Sequence, residues 1–393
     1  MIHQISKHYF AGYKHFTIYI LVTVLCISCI TQSKNYIGAS DKNITITGRI
    51  NTTNPNAVLF AYPGVSIKTR FEGTSIDAEL IEYGSGTPSN TNYFNAIIDG
   101  GIPTIVRLSK SQQRYTLASG LSNGIHTLEL FKRTESNVGM VAFKGLWLDK
   151  AKKLKALDSL PKRKIEFIGN SITCGYGNEL STDSPQIHHF TSANENNYKA
   201  WGAVAARSLH AEYSCVAYSG RGLYQNNSGS KIGTLPLLYD QIIADDPSAT
   251  WNHLNYIPDV IVINLGTNDF SAEVVSSNYT VDSALFVKTY ISFIAKLRAY
   301  YPQASIVCCV GVMMSDMYPS GKKAWTRIQN YVSAVRTYEN DHGDAKVYYL
   351  KMEPQPGPYY GEDWHPSAAE DSIMAQALVS FIETNINWKN SRQ

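Results

Sequence analysis

One stretch, residues 164–175, constrains the fold of this 393-residue chain more than any other. It reads KIEFIGNSITCG, an alternating apolar run that stops abruptly at Gly169-Asn170-Ser171. The pattern predicts a β-strand that ends in a tight turn, and in an open α/β sheet ligands bind at that carboxyl edge. A serine placed there is a nucleophile if a base reaches it. The alternative is that Ser171 only caps a following helix, and this stretch alone leaves both interpretations open.

Three well-known glycine motifs do not fit the stretch. The segment from Gly169 to Gly175 is one residue too long for a P-loop and lacks its Lys-Ser/Thr ending, and it is not G-x-G-x-x-G. Position 173 is Thr, whereas the G-x-S-x-G elbow of α/β-hydrolases requires Gly. The sequence therefore excludes these two nucleotide-binding loops and that hydrolase elbow.

Residues 1–33 predict a signal peptide or lipoprotein leader rather than part of the fold. Basic residues precede an apolar run over 16–28, which has signal-peptide length and is short for a spanning helix. A small residue precedes Cys29, so a lipid anchor at Cys29 is a further prediction, although Cys26 stands where such boxes usually carry Leu. We expect a secreted, periplasmic or outer-surface lipoprotein; a retained amphipathic anchor is the alternative.

Charge and cysteine content exclude several classes of partner. The net charge of +3 comes with 32 acidic residues and no basic block, so nucleic acid is not an expected partner. Neighbouring residues of a strand point to opposite faces, so we expect Cys308 and Cys309 to be buried apolar side chains without a disulfide. No H-E-x-x-H is present, and we expect neither a metal nor a cofactor.

Residues 36–155 predict an all-β domain. Short runs of alternating polar and apolar residues are divided by turn residues such as Gly100-Gly101 and Asn123-Gly124. Repeated short strands without helical periodicity favour an antiparallel jelly-roll sandwich. No residue of this domain looks catalytic. The strand-like runs are 65–71, 76–80, 93–98, 104–108, 124–131 and 140–148.

Residues 160–390 predict an α/β domain, joined to the first by a lysine-rich linker. Apolar strand-like runs alternate with helical stretches, which favours a parallel sheet with helices on both faces, in a flavodoxin-like three-layer arrangement. The predicted strands are 164–168, 213–218, 260–265, 305–310 and 346–350, and the predicted helices are 198–209, 237–244, 281–300, 322–338 and 367–386.

Polar residues follow the predicted strands at the point where each strand ends. Ser171 follows the first strand, Ser219-Gly220-Arg221 the second, Gly266-Thr267-Asn268-Asp269 the third, and Asp363-Trp364-His365-Pro366 comes after the fifth. Because the carboxyl ends of parallel strands meet at one edge of the sheet, we expect these side chains to lie close together.

Each of these residues has a possible catalytic role. His365 is the candidate base for Ser171, and Asp363 can fix the imidazole tautomer and stabilise its charged form. The backbone N–H groups of Ser171 and Gly220 and the side-chain amide of Asn268 are candidate donors to a developing oxyanion.

Structural alternatives remain for each residue taken alone. Asn268-Asp269 fits a turn or helix cap, Gly220 an ordinary turn, and His365 a structural histidine beside a proline. Jelly-roll sandwiches often bind carbohydrate. Trp364, Tyr224 and Tyr360 lie in the predicted rim loops and are candidates to stack on sugar rings of such a ligand, or else to pack these loops.

The four polar blocks, in order, resemble those of SGNH (GDSL-type) hydrolases. The N-terminal region looks like the jelly-roll domain of carbohydrate esterase family 2. One departure is Asn170, where Asp is common in the wider superfamily; it is not a triad position. The matching segments are Gly169–Thr173, Gly220, Gly266–Asp269 and Asp363–Pro366 in the second domain, and Tyr62–Ile67, Phe71–Ser75, Ile98–Gly100 and Lys132–Glu135 in the first.

The resemblance implies a deacetylase acting on O-acetylated plant polysaccharides such as acetylated xylan or mannan. It implies Ser171 as nucleophile, His365 as base, Asp363 as orienter, and Gly220 with Asn268 in the oxyanion hole. Some members of the family lack the aspartate; because Asp363 is present, we expect a full triad. A lipase or thioesterase using the same blocks, and a glycan-binding protein without activity, are the rival functions.

Overall fold

The computed structural model describes residues 34–87, 89–184, 187–276, 278–357 and 359–388. The predicted leader, with Cys29, lies outside the described residues. Among the helices of the described part, none combines the length and the apolar character needed to cross a membrane. The described residues from Lys34 onward belong to one compact unit.

The first domain is the predicted jelly-roll sandwich of two largely antiparallel sheets. One sheet has the order β1-β10-β5-β8 with β3 against β10, and the other β11-β4-β9-β6-β7 with β2 against β4. In chain order the strands are β1 (Lys34–Gly38), β2 (Thr45–Thr47), β3 (Val58–Phe60), β4 (Ser66–Gly73), β5 (Ile76–Glu82), β6 (Tyr93–Ile98), β7 (Thr104–Arg107), β8 (Arg114–Ala118), β9 (Gly124–Lys132), β10 (Val141–Asp149) and β11 (Leu154–Lys155).

Alternation along these strands builds the core of the sandwich. Ile67 and Phe71 of β4 point inward with Leu128 and Leu130 of β9, while the alternate residues Lys68, Arg70 and Glu129 are more exposed. Period-two alternation requires this, because successive side chains of a strand face opposite sides. The sequence prediction found six strands (β4, β5, β6, β7, β9 and β10) and missed β1, β2, β3, β8 and β11, none longer than five residues.

The second domain has a five-stranded parallel sheet in the order β13-β12-β16-β17-β18. When only the strands of this sheet are counted, this is the flavodoxin-like order 2-1-3-4-5, whose ligand-binding switch point lies between strands 1 and 3. The strands of the sheet are β12 (Arg163–Gly169), β13 (Ala211–Ala217), β16 (Val260–Asn264), β17 (Ser305–Cys309) and β18 (Val347–Leu350). Two further strands, β14 (Gln241–Ile243) and β15 (Asp246–Thr250), pair with each other outside this sheet.

Helices cover both faces of this sheet, as expected for parallel strands. Ile261, Ile263 and Cys308 pack on the side of α5 and α6, whereas Val262 and Cys309 pack on the side of α2 and α7. The helices are α1 (Ser171–Cys174), α2 (Trp201–Ser208), α3 (Leu235–Leu238), α4 (Ser271–Val275), α5 (Ser283–Tyr300), α6 (Ala324–Asp341) and α7 (Ala368–Asn385), with short 3-10 turns at Asn197–Lys199, His253–Asn255, Asn268–Phe270 and Glu362–Trp364. Both Cys308 and Cys309 are buried and free, which confirms their predicted role.

The predicted helix at 237–244 is wrong. Only α3 is helical there, and β14 and β15 follow as a two-stranded antiparallel ribbon. The guanidinium of Arg49, fully buried and contributed by the first domain, donates to the carbonyl oxygens of Tyr239 and Gln241. A continuing helix needs such carbonyls for its own i to i−4 bonds, so the contact between the domains overrides the local pattern.

Candidate active site

Ser171 lies where the β12 strand stops, at the switch point of the parallel sheet. The N-cap of α1 is Asn170, whose side chain accepts the N–H of Ile172 at 3.2 Å, so Ser171 is not itself the cap. Position 169 requires glycine, since a Cβ there would lie 2.0 Å from the Thr173 hydroxyl oxygen. The tight turn places Ser171 at the carboxyl edge of the sheet, with 8% of its surface exposed.

His365 meets Ser171 across 194 residues of chain. The imidazole Nε2 lies 2.7 Å from the serine Oγ, and Nδ1 lies 3.0 Å from the backbone carbonyl oxygen of Glu362. Because a carbonyl only accepts, Nδ1 carries the proton and Nε2 has the free lone pair. The serine hydroxyl therefore donates to Nε2, the arrangement of a nucleophile activated by a general base.

The expected hydrogen bond from His365 to Asp363 is not formed, and the prediction of Asp363 as orienter is wrong. The Asp363 carboxylate accepts from the Tyr176 hydroxyl at 2.7 Å and the Phe190 N–H at 3.2 Å, and pairs with His189 Nδ1 at 2.7 Å. Asp363 and Trp364 both have positive φ, 48° and 62°. This left-handed turn brings the carbonyl of residue 362, rather than the carboxylate of residue 363, to the imidazole.

Tyr176 is a site residue that sequence reasoning missed. Its ring stacks on the His365 ring with centroids 4.0 Å apart and planes 27° apart, and its hydroxyl donates to Asp363. Tyr176 directly follows the glycine cap of α1, so the chain that carries Ser171 also supports the base. The motif spacing gave no signal for this contact, because it depends on the direction of the chain after the cap.

The segment that carries His365 is fixed on both sides. On its N-terminal side the buried Glu362 carboxylate accepts from the Thr191 N–H and hydroxyl and from the Asn194 amide, each at 2.8 Å. On its C-terminal side Ser367 is the N-cap of α7 and accepts from the Glu370 N–H at 3.4 Å. The base is thus held between a buried hydrogen-bond network and a helix start.

The environment of His365 favours its neutral form. Burial lowers the pKa of His365 to about 4, and the Glu362 carbonyl together with the nearby Asp363 charge offsets only part of this effect. Desolvation disfavours the imidazolium more than the imidazole. At neutral pH the resting histidine is therefore ready to accept the serine proton.

The candidate oxyanion donors lie on the loops after strands β12, β13 and β16, and β13 and β16 flank β12. Ser171 is the first residue of α1, so its N–H has no acceptor within that helix. Gly220 adopts a φ of 77°, which glycine tolerates without strain. One N–H of the buried Asn268 amide donates to the Arg221 carbonyl at 2.8 Å, and the amide has a second N–H to offer.

Asp269, next to Asn268, ties these loops together. Its fully buried carboxylate accepts the backbone N–H groups of Leu223 and Tyr224 at 2.8 Å and of Gln225 at 3.1 Å. Burial raises the pKa of Asp269 to about 6, and the three N–H donors oppose that rise. The Gly266–Asp269 block therefore supplies the candidate donor Asn268. Its Asp269 also anchors the loop that carries the candidate donor Gly220.

The three candidate sugar-stacking residues are placed differently. Trp364, next to His365 in the chain, is 48% exposed, and Tyr360 is partly buried and forms a β-bridge with Thr182. Tyr224 is only 7% exposed within the core, and its hydroxyl lies 3.2 Å from that of Tyr279. A ring packed in the core offers little free face, so the sugar-stacking prediction for Tyr224 is wrong and the alternative, that it packs the loop, holds.

Family models match both domains. Residues 46–157 match the model described as carbohydrate esterase 2 N-terminal, and residues 167–369 match the GDSL-like lipase/acylhydrolase family. The second match contains Ser171, Gly220, Asn268 and His365.

Two proteins of known sequence are similar along most of the chain. Cellulase/esterase CelE of Acetivibrio thermocellus is 38% identical over 88% of this chain, which spans 40% of the length of CelE. An acetylxylan esterase/glucomannan deacetylase of Cellvibrio japonicus is 30% identical over 91% of this chain and 93% of its own length.

Solved structures show the same two-domain fold. A family two carbohydrate esterase from Clostridium thermocellum, in complex with cellohexaose, superposes with a TM-score of 0.79 at 36% identity, covering 88% of this chain and all of that one. A family two carbohydrate esterase from Cellvibrio japonicus gives 0.78 at 29% identity, covering 91% and 99%. The chain belongs to the GDSL-like hydrolases and, with its N-terminal domain, to carbohydrate esterase family 2.

Proposed function

We propose that this protein removes O-acetyl groups from plant polysaccharides such as acetylated xylan or glucomannan. The 2.7 Å contact between Ser171 Oγ and His365 Nε2 carries the proposal, because it joins a nucleophile to a neutral base at the ligand-binding edge of the sheet. The similarity to an acetylxylan esterase/glucomannan deacetylase supports the acetyl group, and the neighbour solved with cellohexaose supports a polysaccharide partner.

The mechanism is a two-step acyl transfer. Ser171 attacks the acetyl carbonyl while His365 Nε2 takes the hydroxyl proton. The Glu362 carbonyl holds Nδ1–H, so the imidazolium keeps its orientation, and the Asp363 charge nearby stabilises it. His365 then returns the proton to the departing sugar alcohol, and water hydrolyses the acetyl-enzyme by the same route. The N–H groups of Ser171 and Gly220, with the Asn268 amide, stabilise each oxyanion.

The proposed place of action is outside the cytoplasm. Residues 1–33 carry the pattern of an export leader, and such a leader directs a protein out of the cytoplasm. Cys29 is the proposed attachment point if a lipid anchor retains the enzyme at the surface.

The substrate class is tested by acetate release from acetylated xylan, glucomannan and pectin, together with nitrophenyl esters of increasing chain length. We expect acetate from xylan or glucomannan and a preference for the acetyl ester. Ser171→Ala is the matched control and should release none. A preference for acyl chains of eight or more carbons would instead identify a lipase or thioesterase.

Substitution of Asp363 tests whether the Glu362 carbonyl, rather than the Asp363 carboxylate, orients His365. In Asp363→Asn the amide oxygen still accepts from Tyr176, and the Glu362 carbonyl still holds His365, so we expect kcat to fall by less than about tenfold, against the ~10⁴-fold loss found for a triad aspartate. His365→Ala, measured beside it on 4-nitrophenyl acetate, should lose nearly all turnover. A loss in Asp363→Asn as large as in His365→Ala would restore the full triad.

The pH dependence of kcat/KM reports the pKa of His365 in the enzyme without bound substrate. The base works when neutral, so activity falls as pH drops through its pKa. Burial lowers that pKa to about 4, so we expect the acid limb well below 6.5 and little loss between pH 7 and pH 5.5. Initial rates with 4-nitrophenyl acetate across this range give the limb directly. A midpoint at or above 6.5 would contradict the environment described for His365.

A further inference from the structure

Glu135 of the first domain reaches the catalytic edge of the second domain. It lies three residues after β9, and its side chain is fully buried. One carboxylate oxygen, Oε2, accepts the backbone N–H of Ser219 at 2.7 Å, and the Cys174 thiol donates to the same oxygen at 3.7 Å. Ser219 directly precedes Gly220, and Cys174 closes the helical turn that begins at Ser171. A single carboxylate therefore contacts both segments that carry candidate oxyanion donors.

The loop after β13 is anchored at four consecutive residues. The Tyr218 N–H donates to the Gly169 carbonyl at 3.2 Å, and the Gly220 carbonyl accepts from Asn227 at 2.9 Å. The Arg221 carbonyl accepts from Asn268 at 2.8 Å, and the Ser219 N–H is held by Glu135. Of these four anchors, Glu135 is the one that the jelly-roll domain provides. The peptide that carries the Gly220 N–H is thus clamped on both sides.

Glu135 is itself held rigidly. Its backbone N–H donates to Glu195 Oε2 at 3.0 Å, and its backbone carbonyl accepts from the buried Lys132 ammonium at 3.3 Å. Burial raises the pKa of both carboxyl groups, and the charge of Glu135 adds to the rise at Glu195. Because Glu135 accepts the Ser219 and Cys174 hydrogens, we take Glu135 as the ionised partner and Glu195 as the protonated one. Charge-assisted hydrogen bonds of this kind are stronger than neutral ones.

The alternative interpretation of the cluster formed by Glu135, Cys174 and Glu195 is a metal site. Ligand atoms of Glu135, Cys174 and Glu195 lie within 4.8 Å of one another, the one such set among the described residues. Two observations argue against it: Glu135 Oε2 already accepts two hydrogen bonds, and burial raises the pKa of the Cys174 thiol, which disfavours the thiolate a metal needs.

We propose that Glu135 is a positioning residue, supplied by the jelly-roll domain, that holds the Ser219–Gly220 peptide in place for oxyanion stabilisation. It touches no reacting atom and acts through the N–H of Ser219. The proposal rests on the esterase chemistry of Ser171 and His365 and not on the choice of polysaccharide. It gives the first domain a part in turnover in addition to any part in binding.

The test compares three substitutions at position 135 by kcat and KM on 4-nitrophenyl acetate. Glu135→Gln keeps an oxygen for the Ser219 N–H, and its amide can donate to Glu195, so most of kcat should remain. Glu135→Asp keeps the charge but withdraws the acceptor by one methylene, and Glu135→Ala removes it. For both we expect kcat to fall about 10- to 100-fold with KM little changed, as for other small misplacements at active sites.

The controls separate positioning from stability and from metal binding. Glu179→Gln removes the ion pairs to Arg133 and Lys199 at the same domain contact without touching Ser219, and should keep wild-type kcat. Thermal unfolding identifies variants that fail to fold. If Glu135→Ala is one of them, the proposal is decided by comparing kcat of Glu135→Gln with kcat of Glu135→Asp. Full activity in Glu135→Asp, loss of activity in Glu135→Gln, or a stoichiometric metal in the purified protein would each overturn the proposal. Wild type without esterase activity would overturn the proposed function instead.

Discussion

The hydrogen bond between Ser171 Oγ and His365 Nε2 is the interaction on which the rest of the site depends. Ser171 and His365 are 194 residues apart in the chain, yet Oγ and Nε2 lie 2.7 Å apart. The segments that carry these two residues must therefore both be held in place. The parallel sheet provides one partner, by ending β12 at a glycine turn that presents Ser171 at the switch point. The other partner is set by local contacts, because His365 sits between the buried Glu362 network and the cap of α7.

Docking of the two domains extends this arrangement beyond the parallel sheet. The jelly roll contributes three fully buried charged residues, Arg49, Arg133 and Glu135, to contacts with the second domain. Buried charges are costly unless paired and hydrogen-bonded. Each of the three forms hydrogen bonds across the domain contact, and Glu135 reaches the loop that carries Gly220. The specificity of the interface thus comes from polar geometry as well as apolar area.

Sequence reasoning recovered the elements that follow from periodicity and from the strand-end rule. Alternation gave the parallel strands, and the common edge of a parallel sheet brought Ser171, Gly220, Asn268 and His365 into one hypothesis. It failed for Asp363, because a spacing of two residues says nothing about side-chain direction once the backbone enters the left-handed region. It also failed for Tyr224, because a rim loop folded back into the core.

Contacts between distant loops explain what the sequence could not show. Tyr176 reaches His365, and Glu135 reaches Ser219, through chain directions that no local pattern records.

Activation of Ser171 by His365 is tested most directly by labelling with a fluorophosphonate, with the adduct located by peptide mass spectrometry. We expect one adduct, on Ser171, formed at least about 10²-fold faster in wild type than in His365→Ala, as general-base assistance predicts. An adduct on another residue, or equal rates in the two proteins, would contradict the account.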